Sequence, residues 1–577
     1  MQTHRAHKMD QQRPFLYLSL FFLGFLIWST WQQEHAPKPV TPSVQTQAGQ
    51  TGSGEAIPSS GQIPTQATNN TGGDGAIPKS TNEKEKRVHI KTDVLDLYVS
   101  TQGGTIVQAD LPTHPVSLEQ MDKAERIIDS EKAYEAHSGL RHQNVDGKYR
   151  SDLGPSHYTS FSVEKDEYIM ADGDNSLTVP FYWKNDQGLM VKKELSFQRG
   201  KFLITQTQTL KNDSPNAWIG NEYLELTHEE HSRAGGMLGG DIAYVGAAYY
   251  PNKYQKVKFN AIENGDLGDK DISKFTEADK EERLINGGWI AMLKHYFISS
   301  WIPPKDTLNN YYTRYSKSNE SYIIGVKTPT KTINSGDTGT FISQFYIGPT
   351  NQAELANISK GLDLTVDYGI FAFVSKPIFA VMKFIHKYVG NWGWTIILLT
   401  LLIKIIFFYP SAVSYRSMAK MKKLGPKIKQ IGEKYKNDPQ AKQKETMAFY
   451  RKEKINPLGG CLPMLIQMPI FMGLYWVLQE SVELRQAPWI LWYKDLSIKD
   501  PTYILPVIYG ASMFIQQKLN PPAVQDPMQQ KIFTYLPVVF TFMFLFFPAG
   551  LVLYWVVNQV LSIIQQWFIN KKIIGDG

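Results

Sequence analysis

The chain has 577 residues, 61 Lys and Arg against 54 Asp and Glu, one cysteine and a slightly negative mean hydropathy. That length exceeds one compact core, so at least two structural units follow, and the hydropathy requires a large water-soluble part beside any membrane segments. Cys461, alone in an apolar run, excludes a disulfide framework and a thiolate metal cluster, and the net charge of +7 gains meaning only from its position along the chain.

The first apolar run, Phe15 to Trp31, follows Arg5, Lys8 and Arg13 and lacks a small-x-small cleavage signal. Residues 1–31 read as a cytoplasmic tail and uncleaved transmembrane anchor, although a run of about 17 residues also suits a cleaved signal peptide. Residues 32–86, rich in Gln, Thr, Pro, Gly and Ser, offer nothing to bury and read as a disordered linker. Across 87–350 the texture changes to period-2 segments such as VHIKTDVLDLYVS, KKELSFQ, KFLITQTQTL and TGTFISQFYIG between turn residues. These predict a large antiparallel β domain, one extended sandwich, placed outside the cytoplasm by the anchor before it. Its His228-Glu229-Glu230-His231 lacks the H-E-x-x-H spacing, and on a strand the odd offset sends the two histidines to opposite faces, so no metal or catalytic role is expected there.

Residues 365–390 contain KPIFAVMKFIHKYV, with Lys376, Lys383 and Lys387 among apolar residues. The run is too short to span with charges so spaced; it predicts an amphipathic helix lying in the membrane interface, or else one packed on the β domain, with Pro377 in its first turn. Residues 391–570 then hold five apolar spans: Trp392 to Pro410, Leu458 to Gln479, Tyr503 to Gln517, Ile532 to Phe547 and Gly550 to Ile569. The polar stretch 411–457 between the first two is strongly basic, with Arg416, Lys420, Lys422, Lys423, Lys427 and Lys429 in its first half, which places it in the cytoplasm. Apolar steps of three and four residues, followed by Asp438-Pro439 as a cap and first-turn proline, predict a helical hairpin. Its charge suits anionic lipid headgroups, ribosomal RNA or acidic nascent chains, or serves only as a topology signal. Residues 571–577 form a short cytoplasmic tail, giving six spans with both ends cytoplasmic.

Chemistry within the membrane centres on Lys404, inside the apolar run WTIILLTLLIKIIFFY. A charge there is costly and marks a function, unless the lysine snorkels to an interface about 7.5 Å away, five residues on at 1.5 Å each. Thr400 shares its helix face, Gln467 sits midway along the second span, and Asn558, Ser562 and Gln565 or Gln566 recur along the last. Such stripes face one another or a wet cavity, which predicts a hydrophilic groove with Lys404 as its cation; helix-to-helix adhesion is the plainer reading. The chain carries no P-loop or dinucleotide glycine pattern, and no catalytic residue, cofactor, metal or DNA partner is expected.

The phrases YRSMAKMKKLGPKI, INPLGGCLPMLIQMPIFMGLY, SVELRQAPWILWYKDLS, DPMQQKIFTYLPVVFTFMF and FPAGLVLYWVVNQVLSIIQQ resemble the YidC/Oxa/Alb family of membrane-protein insertases over the C-terminal third. The resemblance implies an α-helical polytopic membrane protein: a five-helix insertase core plus the anchor, with an extracytoplasmic all-β supersandwich similar to sugar-binding folds. It implies a groove open to cytoplasm and lipid, with Lys404 at the position of the family's cation and Thr400 and Gln467 lining it. Trp555 stands where some relatives have a tyrosine. A lysine keeps the charge but not the planar fork of the arginine common in the family. The resemblance also implies that polar tails of nascent inner-membrane proteins pass the groove while their helices enter lipid, alone or with the Sec translocon and a transient ribosome, in a Gram-negative inner membrane. The short tail carries no long ribosome-binding extension. Two readings from other classes stay open on the residues alone: a small-solute transporter, and an anchored periplasmic sugar-binding protein.

Overall fold

The computed structural model describes residues 86–143, 149–229, 244–263, 284–317, 320–435, 438–453, 462–519, 527–569 and 571. The predicted anchor and linker, Glu230 and His231 of the histidine pair, and Cys461 lie outside these residues.

From Arg87 to Pro349 the period-2 segments become strands in two sheets, of twelve and nine strands among the described residues. The strand Leu189–Gln198 shows how: Leu189, Val191, Lys193, Leu195 and Phe197 are buried while the residues between them are not. It pairs antiparallel with Leu203–Asn212, which pairs with Thr338–Pro349. In the other sheet Trp218–Glu229 lies between Glu135–Gln143 and Ser321–Lys327. The apolar sides of both sheets form one core that includes Trp218, Trp289, Trp301, Phe181 and Leu226, and the short helices α1 (Phe259–Glu263) and α2 (Gln352–Ile358) border it.

Polar groups cross this core. Glu222 accepts hydrogen bonds from Gln208 Nε2 at 2.8 Å, Gln206 Nε2 at 3.1 Å and Ser343 Oγ at 3.3 Å, all from the nine-stranded sheet. Lys193, fully buried, donates to Gly103 O at 2.6 Å. Burial raises the Glu222 carboxyl above its ordinary range and pushes the Lys193 ammonium down to about 7, against the attraction of Glu222.

Among the described residues eight helices follow: α3 (Ala372–Val389), α4 (Trp392–Ile406), α5 (Phe408–Lys434), α6 (Pro439–Lys452), α7 (Leu462–Glu480), α8 (Ile504–Leu519), α9 (Pro527–Phe544) and α10 (Ala549–Ile569). Two boundaries differ from the sequence reading for physical reasons. The first span does not end at Pro410: the helix breaks at Phe407, bends by 65°, and restarts at Phe408 with the proline in its first turn, where a missing N–H costs nothing. The helix of 365–390 starts at Ala372, so Pro377 is internal rather than first-turn; with the turn ahead of it, Gly369–Val389 is long and apolar enough to cross a membrane by length and composition. Among the described residues α10 also meets that standard, and α4 does so together with the start of α5.

The β domain rests on the loop after α7. Arg485 donates to Pro115 O at 2.8 Å, pairs with Glu125 at 3.2 Å and lies over the Phe297 ring. Lys294 meets the same carboxylate at 3.1 Å, and His295 Nε2 bonds Gln479 O of α7 at 2.9 Å. The loop also closes over α4, whose cap Asn391 donates to the carbonyls of Pro488 and Trp489.

Two outcomes follow from this packing. A lysine whose folded pKa is depressed leaves the unfolded chain binding more protons between about pH 7 and its ordinary value, so the fold gains stability as pH rises through that window. Lys193→Met is expected to remove that gain, about 2 kcal/mol between pH 7 and 9, as read from denaturation midpoints of the full chain in detergent. On α8 a Cβ at Gly510 would overlap Thr541 Oγ1 on α9. Gly510→Leu is therefore expected to part these helices and destabilise the bundle by about 1–3 kcal/mol in an unfolding titration.

Candidate functional site

Helix α10 organises the site. It packs against α4, α5, α7 and α8, and Tyr554, Asn558, Ser562 and Gln566, four residues apart, are all buried. Side chains one turn apart share a face, so these form one polar seam along an otherwise apolar helix.

Lys404 of α4 meets the seam. Its ammonium donates to Ser562 Oγ at 2.7 Å, and that hydroxyl donates in turn to Asn558 O at 2.7 Å. Tyr415 of α5 also hydrogen-bonds Ser562. A charge-assisted bond of this kind is about twice as strong as a neutral one, and it holds the lysine inside the bundle. Gln467 of α7 donates to the Tyr554 hydroxyl, which brings the third predicted helix to the same seam two turns away.

The remaining predicted groove residues divide. Thr400 is fully buried and donates to Ile396 O of its own helix at 2.7 Å, so its hydroxyl is spent on the backbone. Trp555 lies off the seam among Phe471, Tyr509 and Phe544, at ring distances of 5.0, 5.9 and 5.8 Å. Its indole N–H has no hydrogen-bond partner among the described residues, nor do Asn558 Oδ1, Gln565 Oε1 and Gln566 Oε1. Four buried polar atoms on one helix are thus left without a partner among the described residues, a cost that hydrocarbon around them would not offset. Tyr415 and Tyr554 were absent from the sequence reading; Tyr554 had a signal, since it lies four residues before Asn558.

The predicted basic hairpin forms as α5 and α6. Asp438 caps α6 by accepting from the N–H groups of Gln440 and Ala441, each at 3.0 Å. Arg416, Lys420, Lys427 and Lys429 are exposed; the side chains of Lys422 and Lys423 lie outside the described residues. In the β domain His228 packs between the rings of Tyr134 and Phe259.

Comparison with known proteins bears on the whole chain. Residues 87–381 match the family model described as the YidC periplasmic domain, and residues 384–576 match that of the 60Kd inner membrane protein. The membrane protein insertase YidC of Thioalkalivibrio sulfidiphilus is 43% identical over 571 residues, covering 98% of this chain and 99% of its own. The chain belongs to the YidC family. A second family member, from Methylococcus capsulatus, is 40% identical over 98% of this chain and 99% of its own. A crystal structure of an active YidC insertase aligns over 84% of this chain and 92% of its own, at 17% identity and a TM-score of 0.38.

If Ser562 holds the Lys404 ammonium, Ser562→Ala is expected to raise the rate at which a water-soluble amine reagent labels Lys404 in membranes several-fold, read by peptide mass spectrometry. An unchanged rate would show that the hydrogen bond does not confine the lysine.

Proposed function

We propose that this protein is a membrane protein insertase that carries polar tails of nascent membrane proteins through the seam between α4, α7 and α10 and lets their apolar helices enter lipid. Kinship with YidC insertases over nearly the full chain supports the activity. The observation that carries the mechanism is the Lys404–Ser562 contact beside unpaired acceptor oxygens of Asn558, Gln565 and Gln566.

The energetics are those of desolvation. A polar tail crossing about 30 Å of hydrocarbon loses its water, several kcal/mol for each unsatisfied group, and a polar seam shortens the dry path. Lys404 attracts acidic groups on the tail, and the open amide oxygens accept from its N–H groups. The membrane potential drives an acidic tail outward with about 2.3 kcal/mol per charge per 100 mV. No bond is made or broken and no nucleotide is consumed, so the protein acts without enzymatic chemistry.

In this reading the protein lies in the inner membrane of a Gram-negative bacterium, both termini cytoplasmic and the β domain periplasmic. Helix α3 lies in the outer interface: Ser375, Phe379 and Met382 are buried, while Phe373, Phe384 and Tyr388 are exposed beside the exposed Lys376, Lys383 and Lys387. A spanning orientation would bury three ammonium groups in lipid, which an in-plane helix avoids. The basic hairpin meets anionic lipids and, transiently, the ribosome, and the protein works alone or with the Sec translocon.

The test is insertion of a single-span substrate with an acidic outer tail into liposomes holding the purified protein, scored by protection of the tail from external protease. Lys404→Arg is expected to insert it normally. Lys404→Glu is expected to reduce insertion about tenfold, the factor corresponding to 1.4 kcal/mol of lost attraction, and to spare a substrate with a neutral tail. Equal insertion of both substrates by wild type and Lys404→Glu would refute the role of the charge.

A further inference from the structure

A second cluster of chemical groups lies in the β domain, far along the chain from Lys404. His137 and Glu225 sit opposite each other on neighbouring strands of the twelve-stranded sheet. Glu225 is three residues from Glu222, which reaches into the core, and the odd offset puts it on the other face of the sheet. Residues 155–159 cross that face: Leu140 N bonds Pro155 O, and the backbone N–H of His157 donates to the Tyr223 hydroxyl at 2.9 Å. One side-chain nitrogen or oxygen from each of His137, His157 and Glu225 lies within 4.8 Å of the others.

Each of the three side chains has one polar atom fixed by a neighbour and one left over. His137 Nε2 is held by the Glu135 carboxylate at 2.8 Å, and its Nδ1 is buried with no hydrogen-bond partner among the described residues. Glu225 Oε1 accepts from the Tyr312 hydroxyl at 2.7 Å, and its Oε2 is likewise buried and without a partner. His157 Nδ1 is bound to the Tyr223 hydroxyl at 2.7 Å, which leaves Nε2 available. Buried unpaired atoms on a histidine and a carboxylate are costly, and an arrangement that fixes the far atom while freeing the near one is how proteins hold metal ligands.

We propose that His137, His157 and Glu225 form a divalent-metal site of zinc type on the outer face of the twelve-stranded sheet. Two imidazoles and a carboxylate suit zinc, with a fourth position open to water. The ligand form of each histidine is neutral, so binding the ion releases any proton the pair holds. Two features oppose the ion. The His137 and His157 rings stack in parallel at 4.5 Å, so one must turn about its Cβ–Cγ bond before both lone pairs meet a common point. Arg314 lies 3.9 Å from Glu225 Oε1, and Lys327 and Arg141 are close by. The bound ion would tie three segments distant in sequence, at 137, 157 and 225, into one cross-link.

The experiment uses the full chain purified in detergent, stripped with a chelator and re-equilibrated with zinc chloride. Wild type is expected to retain about one zinc more per chain than Glu225→Gln and His137→Gln, by elemental mass spectrometry after gel filtration. Zinc at about a hundredfold excess over its Kd is expected to raise the wild-type unfolding midpoint by about 5 °C and to leave that of Glu225→Gln, a variant of nearly identical shape, unmoved. Cobalt(II) in its place should give ligand-field absorption in wild type that both variants lack. Equal zinc content in all three proteins, or a wild-type midpoint that zinc does not shift, would overturn the site. Neither outcome bears on insertion through Lys404.

Discussion

Hydrocarbon offers no hydrogen bonds, and the helical half of this protein is arranged around that fact. An ammonium on α4 and a row of hydroxyl and amide groups on α10 are tolerable at depth only because they face each other. The contact between Lys404 and Ser562 is the point where the two rows close. From it the rest of the bundle takes its order: Tyr415 brings in α5 through the same hydroxyl, and Gln467 brings in α7 through Tyr554. The pairing is incomplete, since three amide oxygens and one indole N–H have no partner among the described residues. A fully paired seam would be a strut; a partly paired one suits the passage of a polar chain proposed above.

The β domain solves a related problem by other means. Its two sheets are clamped by apolar side chains, yet Glu222 and Lys193 carry charge-bearing groups through the same core. Removing one partner of such a group is far more damaging than never having had it, so these residues make the sandwich intolerant of local error. The domain is not merely tethered. Arg485 inserts between a backbone carbonyl, a carboxylate and an aromatic ring, so the outer loop of the membrane core and the sandwich share side-chain contacts.

Much of this was legible in the sequence because periodicity records burial. The alternation in KKELSFQ and the four-residue spacing of Asn558, Ser562 and Gln566 each identify a face without knowledge of the partner. Asp438-Pro439 announced a helix start because cap and first-turn preferences are local. Partners across space were not legible. Lys193 occupies a buried position in its strand that its charge argues against, and the carbonyls of Gly103 and Ser138 together with the Glu222 carboxylate explain it. The break at Phe407 was missed because Pro410 reads equally as the end of one helix and the beginning of the next. Thr400 shares a face with Lys404 as its spacing said, but a hydroxyl in an apolar helix has its own carbonyl four residues back as a ready acceptor. His137, His157 and Glu225 have no spacing to read at all, since topology alone brings them together.

The break at Phe407 has a mechanical side. Helix α5 is an arm of 27 residues with Pro426 inside it, about 40 Å long if straight, and its first part, Phe408–Ser417, meets the helix that carries Lys404 at a 65° elbow. Its near end is gripped by Tyr415 and by Gln565, which reaches Phe408 O, while its far end carries exposed cations. Any load at the tip, from an anionic membrane surface or a large docked particle, acts as torque at the elbow. Three residues before the fulcrum stands the lysine whose ammonium is fastened to α10.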